Sequence, residues 1–425
     1  MDIATRRRML GFTLLPALAA ISPLVVLPFV ARNVGPEGWA SALAGEAVGT
    51  FAAIALAFGW TTIGPALVAV ASDPRRGELY REALVIRLLT ASIALPVAAV
   101  ICWFVASDGY GLLSVLMGLQ GALIALSYTW FAVGVGDPWS IALFDALPRV
   151  AAAVISALAI GLVGAPVEIY PLTGIAVTVI GTTAYTARIL GRFPAAWPVR
   201  SPVPALFRSN TPVAATEAVM GFYTSVPVPL VNVVDPTTAA GFASADKMVK
   251  LGQFLPLTLA NALQYWTAEV YERARARRLR IALTLHTVMG VLGWIVLGGL
   301  GTLVSAVLFG EAAAAPMGIV VVLGFAFACF AIRTSMIRHF LFPTQAARAV
   351  LTATLVGSAL GVPLMVILTV LIGPFGAAVG YATTEAVSTV WLIPRTRRAY
   401  RELIAVGASG PETPASPGPH GRMSS

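Results

Sequence analysis

The stretch GFASADKMVKLGQFLPLTLANALQYW, residues 241–266, is long and apolar enough to cross a lipid bilayer. A transmembrane helix needs about 20 predominantly apolar residues. Asp246, Lys247 and Lys250 nevertheless lie inside this run, and a charged side chain at the centre of such a helix costs at least about 2.5–3.5 kcal/mol. These three residues therefore indicate either a buried ion pair or a polar pathway through a membrane protein.

The rest of the chain has the composition of a membrane protein. Of its 425 residues, 58% are hydrophobic and 11% are charged, whereas about 25% are charged in soluble domains. Residues 9–31, 281–310 and 349–384 contain no Asp, Glu, Lys or Arg. Repeated runs of this length predict an all-α polytopic membrane protein.

The apolar runs predict twelve spans, in two sets of six separated by a Pro-rich connection over residues 188–210. The predicted spans are 10–30, 39–63, 83–105, 111–133, 144–163, 169–187, 211–231, 241–266, 281–308, 316–337, 349–371 and 375–394. Six spans in each half give both halves the same orientation, as in transporters built from a parallel repeat. We expect two six-helix bundles around a central cavity, over residues 1–200 and 201–398, and a disordered tail over residues 399–425.

The basic residues lie on one side of this topology. DPRRGELYRE (73–82), ERARARRLR (272–280) and RTRRAYR (395–401) belong to one set of connections, whereas the opposite set carries Arg32 alone. Basic loops stay in the cytoplasm, so both termini are expected there. The net charge of +9 is explained by membrane topology, and no nucleic-acid partner is predicted.

Six charged side chains are candidates for lining a cavity. They are Glu46, Arg87, Glu217, Asp246, Lys247 and Lys250. Asp246 and Lys250 are four residues apart, in the order that favours an ion pair on one helical face. Lys247 points about 100° away from them. Its charge is expected to be unneutralised and to attract an anionic head group.

Structural interpretations are preferred for the other intramembrane charges. Asp145 and Arg149 have the spacing of a helical ion pair. Arg333 and Arg338 lie near a predicted helix end, where long basic side chains extend to lipid phosphates. The same interpretation is the alternative to a cavity role for Arg87. The chain has no P-loop, no GxGxxG after a strand, no HExxH and no CxxC, so we predict that it is not an enzyme and has no cofactor or metal.

Two stretches carry a family resemblance. ARNVGPEGWA (31–40) is similar to an R-x-L-G-P-E-x-[FY]-G turn, and GFASADKMVK (241–250) is similar to a Y-x-x-A-x-K-[IL] helix. Both motifs are those of bacterial polysaccharide flippases of the multidrug, oligosaccharidyl-lipid and polysaccharide exporter superfamily. This chain resembles them most strongly over residues 28–90 and 240–270. It departs from them at WFAVG (130–134), which lacks the Gln of their W-F-[FY]-Q-G motif.

The resemblance implies two six-helix bundles arranged in a V, with Lys247 at the position of the motif lysine. It implies a multi-pass protein of the bacterial plasma (inner) membrane. Its expected activity is to flip an undecaprenyl-diphosphate-linked oligosaccharide from the cytoplasmic to the outer leaflet for polysaccharide biosynthesis. The implied partners are this lipid-linked glycan, membrane lipids and other polysaccharide assembly proteins.

Three alternatives stay open. A drug/cation antiporter or a lipid II flippase would belong to the same superfamily. A membrane-embedded glycosyltransferase or polymerase would need a sizeable external loop, and the predicted external loops are all short. A non-transporting scaffold for a glycan synthesis complex would use the Pro-rich tail to bind its partners.

Overall fold

A computed structural model describes residues 22–197, 202–268 and 273–408, and these residues form helices and connecting turns without a β-strand. Seven helical segments among them are long and apolar enough to cross a membrane. An eighth is formed if residues 213–225 and 227–234, which are bent by 40°, count as one span. The predicted all-α polytopic architecture is therefore confirmed.

The described residues form α-helices that are joined by short turns. In chain order they are α1 Pro23–Ala57, α2 Trp60–Val70, α3 Asp73–Val105, α4 Gly111–Leu123, α5 Thr129–Val135, α6 Pro138–Ile141, α7 Leu147–Leu158, α8 Ile169–Arg192, α9 Pro202–Ser225, α10 Pro227–Val234, α11 Ala239–Gly252, α12 Phe254–Ala268, α13 Arg273–Phe309, α14 Met317–Ser335, α15 Ala347–Ile372 and α16 Pro374–Ala408. Short π-helical turns, Ala142–Ala146, Ala159–Val163 and Met336–Leu341, extend α6, α7 and α14.

The connections define two ends, named here by their arginine content. The Arg-poor end holds residues 106–110, 164–168, 235–238, 310–316 and 373. The Arg-rich end holds residues 71–72, 136–137, 193–197 and 342–346, together with the basic start of α13 and the basic final turns of α16. This distribution follows the alternation that the sequence predicts.

The predicted connection over residues 31–38 is a tight break between two helices instead of an extended loop. The element labelled α1 consists of two helices that meet at Gly35, where the backbone is non-helical with φ 70° and ψ −178°. That combination is accessible essentially to glycine alone. The first predicted span, 10–30, lies partly outside the described residues. The predicted loop thus shrinks to one non-helical residue at the Arg-poor end.

The charged span of residues 241–266 is broken rather than continuous. It forms α11 and α12, with the break at Gln253. Pro256 has no N–H to donate to the carbonyl of Gly252, which would be its partner in an unbroken helix. The break therefore comes only three residues after Lys250.

Close helix packing depends on glycine at a few positions. A side chain on Gly45 or Gly49 of α1 would overlap the backbone of Ser114 or Gly118 of α4. Small residues spaced four apart let membrane helices approach each other closely. The contact holds α1 against α4 and fixes one wall of the space between the two halves.

The predicted boundary at residues 200 and 201 stays a prediction, but the tail prediction needs a correction. Helix α16 runs to Ala408, so residues 399–408 are helical instead of disordered. The sequence RELIAV (401–406) contains no helix breaker, and Arg398 bonds to Glu402 at 2.9 Å, one turn further on. Residues 409–425 lie outside the described part of the chain.

Candidate functional site

A cavity of about 940 Å³ lies between the N-terminal and C-terminal halves. Its lining comes from α1, α2, the connection after α4, α5, α6, α7 and the π-helical turn after α6 on one side, and from α9, α11, α12 and the π-helical turn after α14 on the other. Three carboxylates line it: Glu46, Asp145 and Asp246. Four basic side chains line it as well: Arg149, Lys247, Lys250 and Arg338. The basic side chains exceed the carboxylates by one.

Four of the six predicted cavity residues are among these lining residues. The structure brings Glu46, Asp246, Lys247 and Lys250 together, although Glu46 is about 200 positions away in sequence from the other three. Their role in binding stays a prediction. Their convergence gives the cavity a charged wall on each side.

Lys247 is neutralised, contrary to the expectation from sequence. Its Nζ lies 2.5 Å from Oε1 and 2.8 Å from Oε2 of Glu46. The lysine side chain is 11% exposed and the glutamate side chain is 30% exposed. Because Glu46 lies on α1 and Lys247 on α11, this ion pair joins the two halves. Helical spacing within α11 gives no sign of such a partner.

The two predicted helical ion pairs are confirmed. Lys250 Nζ lies 2.7 Å from Asp246 Oδ2, and Arg149 Nη2 lies 2.8 Å from Asp145 Oδ1. Each pair spans four residues of one helical segment and stays within one half of the protein. All three carboxylates of the cavity are thus engaged by a basic side chain.

Arg87 and Glu217 are not among the residues that line the cavity. Arg87 is buried, and its Nη2 donates to the carbonyl of Ser127 at 3.0 Å. It stands behind a lining residue, because Ser127 itself faces the cavity. The Glu217 carboxylate accepts a hydrogen bond from the Thr62 hydroxyl. A lipid-facing position for Arg87 is therefore also wrong.

Arg333 belongs to a buried cluster that sequence analysis missed. Its Nη2 lies 2.8 Å from Glu385 Oε2 and also donates to the Tyr223 hydroxyl at 2.9 Å. Tyr223 in turn donates to Glu385 Oε1 at 2.9 Å. Glu385 is fully buried and Arg333 is 4% exposed, so the expected extension of Arg333 to lipid phosphates is wrong. The lone acidic residue in a long apolar run, Glu385, is a sequence signal that could have predicted this pair.

Arg338 lines the cavity, where sequence analysis expected it to reach lipid phosphates. It is half-buried and lies in the π-helical turn Met336–Leu341. Within the described part of the chain, it is the cavity cation without a carboxylate partner. The next residue, His339, is buried and bonded to the Thr267 hydroxyl at 3.1 Å.

The halves are joined by hydrogen bonds near the Arg-poor end. The Trp39 indole donates to Ser244 Oγ at 2.9 Å, and the Trp39 ring packs on Phe309. The Asn232 amide donates to the carbonyl of Val105 at 2.7 Å. These contacts lie between the cavity and the Arg-poor end, so the cavity is closed on that side. No group of His, Cys, Asp and Glu able to hold a metal occurs among the described residues.

No family profile and no curated protein matches this chain. Solved structures do match its fold. The lipid II flippase MurJ in an inward closed conformation aligns with a TM-score of 0.69 and 14% identity, covering 93% of this chain and 90% of that one. An inward-facing multidrug resistance MATE family transporter of the MOP superfamily aligns with a TM-score of 0.59 and 16% identity, covering 90% and 98%. The eukaryotic MATE transporter AtDTX14 aligns with a TM-score of 0.54 and 13% identity, covering 96% and 100%. The chain therefore has the two-lobed helical fold of these transporters.

Proposed function

We propose that the protein flips an undecaprenyl-diphosphate-linked oligosaccharide across the bacterial inner membrane. The observation that carries this proposal is the charged cavity of about 940 Å³ between two helical halves, closed towards the Arg-poor end. Basic connections favour a cytoplasmic location, so the Arg-rich end faces the cytoplasm. The substrate then enters from the cytoplasmic leaflet and leaves at the opposite side.

The chemistry of the cavity suits a substrate with a diphosphate and a polar sugar head. Four basic side chains face three carboxylates there, which leaves one positive charge for an anionic ligand. Binding of the diphosphate to Lys247 and Lys250 replaces their bonds to Glu46 and Asp246. The isoprenoid chain stays in the lipid throughout, so its movement between the leaflets requires no transfer of apolar surface into a polar environment. The protein carries only the polar head through the membrane.

A lipid II flippase is the second candidate, favoured by the TM-score of 0.69 to MurJ. Both candidates use a lipid-linked diphosphate, so the same cavity charges serve either substrate. A drug/cation antiporter is less well supported. The cavity carries one more basic side chain than carboxylates, and this excess positive charge opposes binding of an organic cation.

The test locates the lipid-linked glycans on each leaflet. The gene is deleted, and undecaprenyl-linked glycans are extracted before and after treatment of spheroplasts with a membrane-impermeant glycosidase. We expect complete oligosaccharide to accumulate in a protected, cytoplasmic pool and to become accessible when the gene is restored. Accumulation of lipid II in the protected pool instead would assign the second candidate. Unchanged distribution of both lipids would contradict a flippase function.

Substitutions then connect the activity to the cavity. Lys247→Ala should reduce export at matched protein levels, because it removes one of the cations that face the diphosphate. Arg348→Ala is the matched control, since Arg348 is exposed at the Arg-rich end and does not line the cavity. Equal export by wild type and Lys247→Ala would remove Lys247 from the proposed mechanism.

A further inference from the structure

We infer that Arg338 is a separate capture site for the diphosphate of the substrate, at the Arg-rich side of the cavity. This inference rests on the proposed function for the class of ligand. Its structural basis is independent of Lys247 and consists of the position, the pairing and the local backbone of Arg338.

Arg338 lies far from the two lysines along the membrane normal. Lys247 is 8 residues from the start of α11, and Arg338 is 21 residues from the start of α14. Both helices start at the Arg-poor end. At 1.5 Å per residue, these positions are about 12 Å and about 30 Å from that end. Lys250, 11 residues from the start of α11, lies about 16 Å from the same end, so the backbone of Arg338 is about 15 Å nearer the Arg-rich end than that of either lysine and offers an anion site at a separate depth.

Arg338 is also the cation that can accept an anion without breaking a bond. The bases Arg149, Lys247 and Lys250 each hold a carboxylate in the described structure, and Arg338 holds none. A planar guanidinium can donate two parallel hydrogen bonds to a phosphate. A substrate that arrives from the Arg-rich end therefore binds first to Arg338 and reaches the paired lysines afterwards.

The backbone around Arg338 is specialised. Its turn, Met336–Leu341, is π-helical, and single π-helical turns are frequent at functional sites. The neighbours His339 and Phe340 are buried, whereas Arg338 remains at the cavity wall. Helix α12 packs against this turn through the bond between His339 and Thr267. The same helix supplies Asn261, an exposed amide that also lines the cavity and can donate to a phosphate.

The test measures binding by the full-length protein in detergent, with inorganic pyrophosphate and undecaprenyl diphosphate as probes. Removing a hydrogen bond to a charged group weakens binding by about 10- to 100-fold. We expect Arg338→Ala to weaken the binding of both probes by this factor. Arg338→Lys should recover part of the lost affinity. Arg348→Ala, an exposed arginine at the same end, should bind like wild type. If Arg338→Ala does not fold, Arg338→Gln is compared with Arg338→Lys by the same criterion.

The outcomes separate this inference from the proposed function. Unchanged pyrophosphate binding by Arg338→Ala would overturn the capture site, even if wild type flips lipid-linked glycan. If Arg338→Ala loses no more affinity than Arg348→Ala does, the capture site is overturned as well. Equal affinity of wild type for the two probes would contradict a lipid-linked ligand. Arg338-dependent binding of both probes would support the site even if the leaflet assay rejects glycan export.

Discussion

The ion pair between Glu46 and Lys247 should hold the two halves together where the cavity meets the closed Arg-poor side. Among the ion pairs of the described residues, it is the one that joins the two halves. We predict that Glu46→Gln and Lys247→Met shift the protein towards a state that is open at the Arg-poor end. The physical reason is that the pair exists only while α1 and α11 are adjacent.

The magnitude follows from the burial of the pair. Exposed pairs contribute about 0.2–1 kcal/mol, and breaking a buried pair costs about 3–5 kcal/mol. Lys247 is 11% exposed and Glu46 is 30% exposed, so their coupling should lie between these limits, at about 1–3 kcal/mol. A coupling of this size changes a ratio of two conformations by about 5- to 150-fold.

The assay is a double-mutant cycle read by pulsed electron paramagnetic resonance. Spin labels are placed at Asp108 and Thr237, which are exposed in Arg-poor connections of opposite halves. The native Cys102 and Cys329 are buried and are replaced beforehand. We expect each single substitution to increase a longer-distance population. The double variant should add little to either single one.

The matched control is Asp145→Asn. It neutralises a carboxylate of the same cavity, in a pair of similar exposure that lies within one half. We expect it to leave the distance distribution between the labels unchanged. Distant, independent sites add to within about 0.3–0.5 kcal/mol. If the effects of Glu46→Gln and Lys247→Met on the conformational equilibrium add to within this limit, the coupling between the halves is refuted.

Three further predictions concern stability and closure. Arg333→Ala should destabilise the protein by about 3–5 kcal/mol because it leaves buried Glu385 unpaired, and thermal unfolding in detergent should show a smaller loss for Arg333→Met combined with Glu385→Gln. Gly49→Ala should cost about 1–3 kcal/mol through overpacking against Gly118, measured in the same way; an unchanged melting temperature would contradict the close contact of α1 with α4. Trp39→Phe should weaken closure by about 0.5–1.5 kcal/mol through loss of one hydrogen bond, visible as a longer-distance population with the same spin labels, and an unaltered distribution would count against it.

Sequence reasoning predicted the features that depend on local pattern. The apolar runs gave the helices, and the i,i+4 spacing gave the pairs Asp246–Lys250 and Asp145–Arg149. It failed where a side chain finds its partner in a distant helix. Lys247 binds a carboxylate 201 positions away, and no spacing rule within one helix can reveal such a contact.

One sequence signal did contain part of this missing information. Glu46 follows Pro36 by ten residues, and Asp246 follows Pro236 by ten residues. Because both prolines lie at the Arg-poor end, equal offsets place Glu46 and Lys247 at nearly equal depth on α1 and α11. Equal depth makes their pairing possible. The rotation of each helix, which decides whether the Lys247 side chain faces Glu46, depends on packing and cannot be read from the offset.

Under the proposed function, the pairing of charges also bears on how the substrate is released. A cavity of free cations would bind a diphosphate tightly and retain it, whereas transport requires binding that is weak enough to reverse. In this cavity each lysine already holds a carboxylate, so the proposed diphosphate would exchange one anionic partner for another with a small net gain in free energy. When the proposed substrate leaves, Glu46 and Asp246 would bind the lysines again. Rebinding of Glu46 to Lys247 requires α1 and α11 to be adjacent, so release of the substrate favours return to the conformation that is closed at the Arg-poor end.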